Sequence, residues 1–148
     1  VNIRELHLDD LDCLLVLYEH LHDSDLPRPE RPVVESVFRN LLENPDHHYY
    51  GSFVDGKLVS SCILSVIPNL TRGCAPYGLI ENVVTHRDFR RRGYGSAILR
   101  RALADAWAAG CYKVMVLTGR LDEGTFSFYE SAGFDRRSKQ AFIAKPTG

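Results

Sequence analysis

Hydrophobic and polar positions alternate over residues 2–8, as in a half-buried strand, and the period then lengthens. Asp9 or Asp10 can cap a helix whose apolar stripe is Leu11, Leu14, Leu15, Tyr18 and Leu21, so a first helix is predicted to run to about His20. Residues 22–32 hold three prolines and five charged side chains. They read as an exposed loop, with Pro32 opening the next helix. A second stripe, Val33, Val37, Phe38, Leu41 and Leu42, ends near Asn44-Pro45.

The middle of the chain turns to strand-like runs. His48 to Val54 and Leu58 to Ile67 are joined by Asp55-Gly56-Lys57, a strong hairpin signal. Tyr77 to Thr85 is near-continuously apolar, as in a strand covered on both faces. A helix opens at Gly93, turns Ile98, Leu99, Ala102, Leu103 and Ala106 inward, and stops at Gly110. Tyr112 to Thr118 reads as a buried strand, Thr125 to Ser131 as a short helix closed by Gly133, and Phe134 to Ala144 as a last strand or hairpin arm. The expected fold is α/β: one domain over residues 1–148, with a mixed, mainly antiparallel central sheet flanked by helices in the order βααββαβαβ. Its ligand should lie at the carboxyl ends of the central strands.

Composition narrows the function. The 148 residues are 45% hydrophobic and 25% charged, enough for one sizeable core, and a net charge of -1 argues against a general polyanion binder. Cys13, Cys62, Cys74 and Cys111 form no C-x-x-C pair or Cys/His grouping, so reduced, mostly buried thiols are expected and no metal site is predicted. Arg4 and Glu5 fall where a signal peptide would be apolar, and no apolar run approaches spanning length. A soluble cytoplasmic protein is the expectation.

One cluster departs from this balance: Arg90-Arg91-Arg92-Gly93-Tyr94-Gly95, between an apolar strand and a helix. A helix N-terminus carries partial positive charge and unpaired N–H donors, so arginines there call for an anion. Gly93 and Gly95 let backbone N–H groups approach and converge on one phosphate. A solvated basic loop is the plain alternative.

The ordered set of apolar strand, R-x-x-G-x-G at Arg90 to Gly95, helix, strand, and F-Y-x-x-x-G-F at Phe128 to Phe134 resembles the GNAT superfamily of N-acetyltransferases. The likeness is close over residues 79–134, and the order of elements matches across the chain. It implies an acyltransferase that uses acetyl-CoA as cosubstrate and an amine as acceptor. Backbone N–H groups from Arg91 to Ser96, through Arg92, Gly93, Tyr94 and Gly95, would hold the pyrophosphate, with the Arg90 or Arg92 side chain reaching a phosphate. The pantetheine arm would pair with the backbone of Val83, Val84 and Thr85 like an added strand. Thr125, where asparagine is usual, joins the cofactor-binding positions. Tyr129 would lie near the CoA sulfur and donate to the leaving thiolate; as an isolated tyrosine it reads instead as a core aromatic beside Phe126 and Phe128.

Glu81 sits in the apolar strand, where a carboxylate is costly unless paired or functional, and is the best base candidate. An edge-facing or salt-bridged carboxylate is an equal reading. His86 is a reserve base. Within the superfamily, Ile80-Glu81-Asn82-Val83-Val84 and Cys111-Tyr112-Lys113-Val114 look most like the glucosamine-phosphate N-acetyltransferase branch, although Leu117-Thr118 stands where that branch has an acidic residue. Acceptor choice is expected from residues 22–32 and the last strands. A Rossmann unit fails because Ile98 occupies the third glycine position. A catalytically silent acetyl-CoA sensor and a basic nucleic-acid-binding module remain as alternatives. No nucleic-acid or membrane partner is expected, and a homodimer is left open.

Overall fold

Strand β1 spans Asn2–Glu5, shorter than the alternating run, because Asp10 folds back on the chain behind it. In the computed structural model, which describes residues 2–22 and 24–147, the Asp10 carboxylate accepts from His7 N at 2.7 Å and from Arg4 Nη1 and Nη2 at 2.8 and 3.0 Å. These bonds close a 3-10 turn, Leu8–Asp10, that leads into helix α1, Leu11–Leu17. A second 3-10 turn, Tyr18–His20, ends the stripe. Asp10 is nearly buried, and the Arg4 guanidinium holds its carboxyl below the usual carboxylate range. Arg4→Ala should therefore cost about 1–3 kcal/mol at neutral pH, where a buried carboxylate is left underpaired. A depressed folded pKa stabilises above the unfolded value and ceases to do so as pH falls through the folded one. Urea midpoints of wild type and variant should accordingly converge in acid and stay apart at pH 7.

The chain divides into two compact units at Val116/Leu117. In the first, α2 (Arg31–Glu43) precedes β2 (His47–Val54), β3 (Lys57–Ile67) and β4 (Tyr77–Thr85); α3 (Tyr94–Ala108) and β5 (Val114–Val116) follow. The sheet order is β1-β2-β3-β4-β5, antiparallel throughout except for the parallel β4/β5 pair. Asp55 and Gly56 both take positive φ (49° and 78°), as the tight hairpin between β2 and β3 requires. One core cluster joins Leu11, Leu14 and Leu17 of α1 and Phe38 of α2 to Tyr49, Ile63 and Val84 of the sheet. The inward residues of α3, Ile98, Leu99, Ala102 and Ala106, are fully buried, and the Tyr50 hydroxyl donates to Asp105 of α3 at 2.7 Å. Among the described residues no helix is long and apolar enough to cross a membrane.

The three predicted runs form the consecutive strands β2 to β4, one more than the order βααββαβαβ places there, and among the described residues the expected closing strand does not form. In the second unit, α4 (Glu123–Ser131) is followed by Phe134 to Ala144 without strand pairing. Local bonds compete for this backbone. Asp135 accepts from Arg137 N at 2.9 Å, and Arg136 is pinned by Glu123 and Glu130 of α4. Beyond them Phe142 and Ile143 are exposed. The thiols also differ from expectation: Cys62 and Cys111 are buried, but Cys13 and Cys74 are exposed.

Candidate active site

Strand β4 contains an irregularity that positions everything after it. Ser61 pairs with Val84 and Ile63 with Glu81, so Asn82 and Val83 together stand opposite Cys62. Asn82 takes φ 52°, the left-handed conformation that asparagine tolerates better than most residues. The result is a β-bulge, which reverses the alternation of side chains and bends the strand. Glu81 and Asn82 are consecutively exposed, while Val84 returns to the core. Tyr18, largely buried, meets both the Tyr49 phenol and the Asn82 side chain, and burial pushes its own phenol above the usual range.

The second consequence is an open edge. Strand β5 pairs only with Gly78, Leu79 and Ile80. From Glu81 to Thr85, β4 keeps β3 on one side and has no strand partner on the other among the described residues. An extended ligand with amide groups can add to such an edge. Some acceptors there are already used: Val84 O accepts from Ser60 Oγ at 2.9 Å, and Thr85 O accepts from Arg90 Nε at 3.1 Å.

The edge runs into the arginine–glycine turn. After a 3-10 turn, Arg87–Phe89, Arg91 and Gly93 adopt φ 63° and 86°. Left-handed residues alternating with ordinary ones turn successive N–H groups toward one concave side. Gly93 is the N-cap of α3, no side chain caps that end, and the helical bond across it runs from Ala97 N to Gly93 O at 3.0 Å. The N–H donors of Tyr94, Gly95 and Ser96 at this 15-residue helix end therefore lie beside the turn. Arg91 bears the Cβ penalty of the left-handed region, about 1–2 kcal/mol, a strain that functional loops often retain. Arg92 lies over the Phe89 ring at 5.5 Å, and Arg87, Arg91 and Arg92 are exposed.

Glu81 corrects an expectation. Its carboxylate is exposed, and it has no ion pair among the described residues, so no burial penalty singles it out. It pairs across the sheet with Ile63 of β3. His86 is engaged: its ring lies 4.1 Å from that of His20, and its Nδ1 accepts from Asp88 N at 3.1 Å. Partial burial, with His86, Arg87 and Arg90 adding positive surroundings, lowers the His20 pKa. Burial pushes the Cys62 thiol up to about 12, which removes it as a nucleophile.

Thr125 and Tyr129 belong to the second unit. Asp122 caps α4 by accepting from Thr125 N at 3.0 Å, and the Thr125 hydroxyl donates to the same carboxylate at 2.9 Å. Tyr129 is half-buried, its ring 5.0 Å from Phe128 and 6.0 Å from Phe134. Gly133, at φ 104°, and the bond from Phe134 N to Tyr129 O (3.2 Å) close the helix. Neither the bulge at Asn82 nor its contact with Tyr18 follows from the hydrophobic pattern; the available signal was an asparagine breaking an otherwise apolar run.

The profile of the Acetyltransferase (GNAT) family matches residues 14–134. The chain belongs to the GNAT family of acetyltransferases. As a GNAT protein it is an acyltransferase with the family's mixed α/β fold. It is 26% identical over 155 aligned positions to glucosamine 6-phosphate N-acetyltransferase 1 of Dictyostelium discoideum, an alignment covering 99% of this chain and 92% of that protein. A solved structure from Agrobacterium tumefaciens str. C58, classed with the acetyltransferases, is 40% identical and superposes with a TM-score of 0.90 over 98% of this chain and 100% of that one. Glucosamine-6-phosphate N-acetyltransferase from Arabidopsis thaliana, at 22% identity and a TM-score of 0.83 over 97% of each chain, shares the fold.

Proposed function

We propose that this GNAT acetyltransferase moves the acetyl group of acetyl-CoA directly to a primary amine of a small molecule or peptide, within a ternary complex. The observation that carries the reading is the continuity of the open β4 edge, Glu81 to Thr85, with the uncapped start of α3. Amides of a pantetheine arm suit the first, around Val83, Val84 and Thr85, and a pyrophosphate suits the N–H groups from Arg91 to Ser96. The Arg91 and Arg92 side chains, both exposed, add positive charge there.

Chemistry on such a complex needs a neutral amine, a polarised thioester carbonyl and a proton for sulfur. The amine nitrogen bonds to the carbonyl carbon, the C–S bond breaks, the thiolate takes a proton from the Tyr129 hydroxyl, and the proton that nitrogen loses on becoming an amide returns through water to the phenolate. Glu81, exposed beside the bulge, takes the ammonium proton directly or through water. Backbone N–H of Val83 or Val84 supplies the oxyanion donor. Thr125, its hydroxyl committed to the α4 cap, contributes through its backbone at most. The family match, residues 14–134, crosses the division at Val116, which supports one working domain; a cytoplasmic location and the lack of a nucleic-acid partner are part of the same proposal. A homodimer through the segment after Phe134, where Phe142 and Ile143 are exposed, completes the proposal.

The acceptor screen starts with glucosamine 6-phosphate because of the Dictyostelium relative. Amino acids, polyamines, aminoglycosides and peptide N-termini fill the panel. The expected result is thiol release from acetyl-CoA that requires one acceptor class. CoA binding without release across the whole panel would favour the silent sensor.

A further inference from the structure

Arg90 opens the glycine motif, yet its side chain is turned away from the phosphate task. Nε donates to Thr85 O at 3.1 Å and Nη2 donates to His20 O at 3.1 Å. One guanidinium thus joins the last residue of β4 to the last residue of the 3-10 turn Tyr18–His20, 70 positions earlier in the chain. That turn leads into the loop before α2. Parallel links reinforce the junction: the His20 and His86 rings lie 4.1 Å apart, Arg87 Nε donates to His20 Nδ1 at 3.5 Å, and Tyr18 meets Asn82 at the bulge.

We infer that Arg90 is a positioning residue, a staple between the end of β4 and the Tyr18–His20 turn, and not a phosphate ligand. Resting on the acetyl-CoA reading above, the inference gives the motif's first arginine a task distinct from that of the backbone after it. Two of the five guanidinium N–H groups are engaged by neutral carbonyls in a fixed fork, and a swing of the group toward a phosphate would leave those carbonyls underpaired. The staple fixes the peptide that follows Thr85 and the extended Arg90 backbone (φ -69°, ψ 156°), so the left-handed step at Arg91 starts from a defined point. It also holds the start of the loop expected to face the acceptor. Loss of Arg90 should therefore disturb turnover and acceptor use more than the grip on the cosubstrate phosphates.

Arg90→Ala and Arg90→Gln separate the two roles, because glutamine keeps a neutral donor for a carbonyl and loses the charge a phosphate would need. CoA affinity is measured by calorimetry, and amide hydrogen exchange is followed at residues 18–22 and 83–90. Steady-state kinetics use the panel amine that wild type acetylates fastest. In Arg90→Ala, the staple predicts about tenfold faster exchange confined to those two segments and about tenfold lower kcat over acceptor KM, with CoA affinity within about threefold of wild type. Arg90→Gln should recover most of both losses. CoA affinity reduced about tenfold in both variants, or local exchange unchanged in Arg90→Ala, would overturn the staple. A wild type that binds no CoA would instead defeat the acetyl-CoA reading, and the exchange measurement would still decide the role of Arg90.

Discussion

Gly93→Asp is expected to weaken CoA binding by about a hundredfold or more, and Gly93→Ala by about tenfold, in calorimetric titrations. Space within the protein does not limit either substitution, since a Cβ at Gly93 meets no heavy atom within 4 Å. The alanine effect comes from φ 86°, where an L side chain costs about 1–2 kcal/mol and the turn relaxes toward a form that no longer converges its N–H groups. Aspartate adds two further effects. Its carboxylate can cap α3 from the N-cap position and so occupy the donors meant for phosphate, and its charge repels the pyrophosphate. Equal losses for the two variants would show that strain alone matters and that no anion sits at this helix end.

Tyr129→Phe should lower kcat by about 100- to 10,000-fold, the range for removal of a general acid, while CoA affinity changes little. The substitution leaves the packing against Phe128 and Phe134 intact, and α4 remains capped by Asp122. Only the hydroxyl is lost. Thermal denaturation of the variant provides the control. A kcat within about threefold of wild type would return Tyr129 to the role of a core aromatic.

Much of the fold was legible because local signals and burial agreed. The stripe of α1 packs where its periodicity put it, that of α2 packs through Phe38, Leu41 and Leu42 while Val33 and Val37 are exposed, Asp55-Gly56 makes the hairpin, and Gly93 and Gly110 bound α3 with positive φ. The arginine–glycine turn was legible in part: Gly93 takes the left-handed conformation at the helix start, but the other left-handed residue is Arg91, and Gly95 lies within helix α3. At Glu81 the pattern misleads, because an apolar neighbourhood in sequence does not guarantee burial. Glu81 alternates with buried Gly78 and Ile80 and so falls on the less buried face with Tyr77 and Leu79, and the bulge that follows exposes Asn82 beside it. Phe134 to Ala144 has the composition of a strand, but strand formation depends on a partner edge that composition does not encode. The Arg90 staple reaches back 70 positions to His20 and depends on side-chain direction, which sequence spacing does not reveal.

In the proposed binding mode, along β4 and at the start of α3, acetyl-CoA should give its acetyl group to an amine and to nothing else. CoA thiol and acetylated product are followed together, by thiol titration and mass spectrometry, with the fastest acceptor of the panel in excess. One acetylated amine is expected for each thiol released, with release negligible when the acceptor is omitted. Thiol release that proceeds equally well without acceptor, with acetate as the product, would contradict direct transfer to an amine.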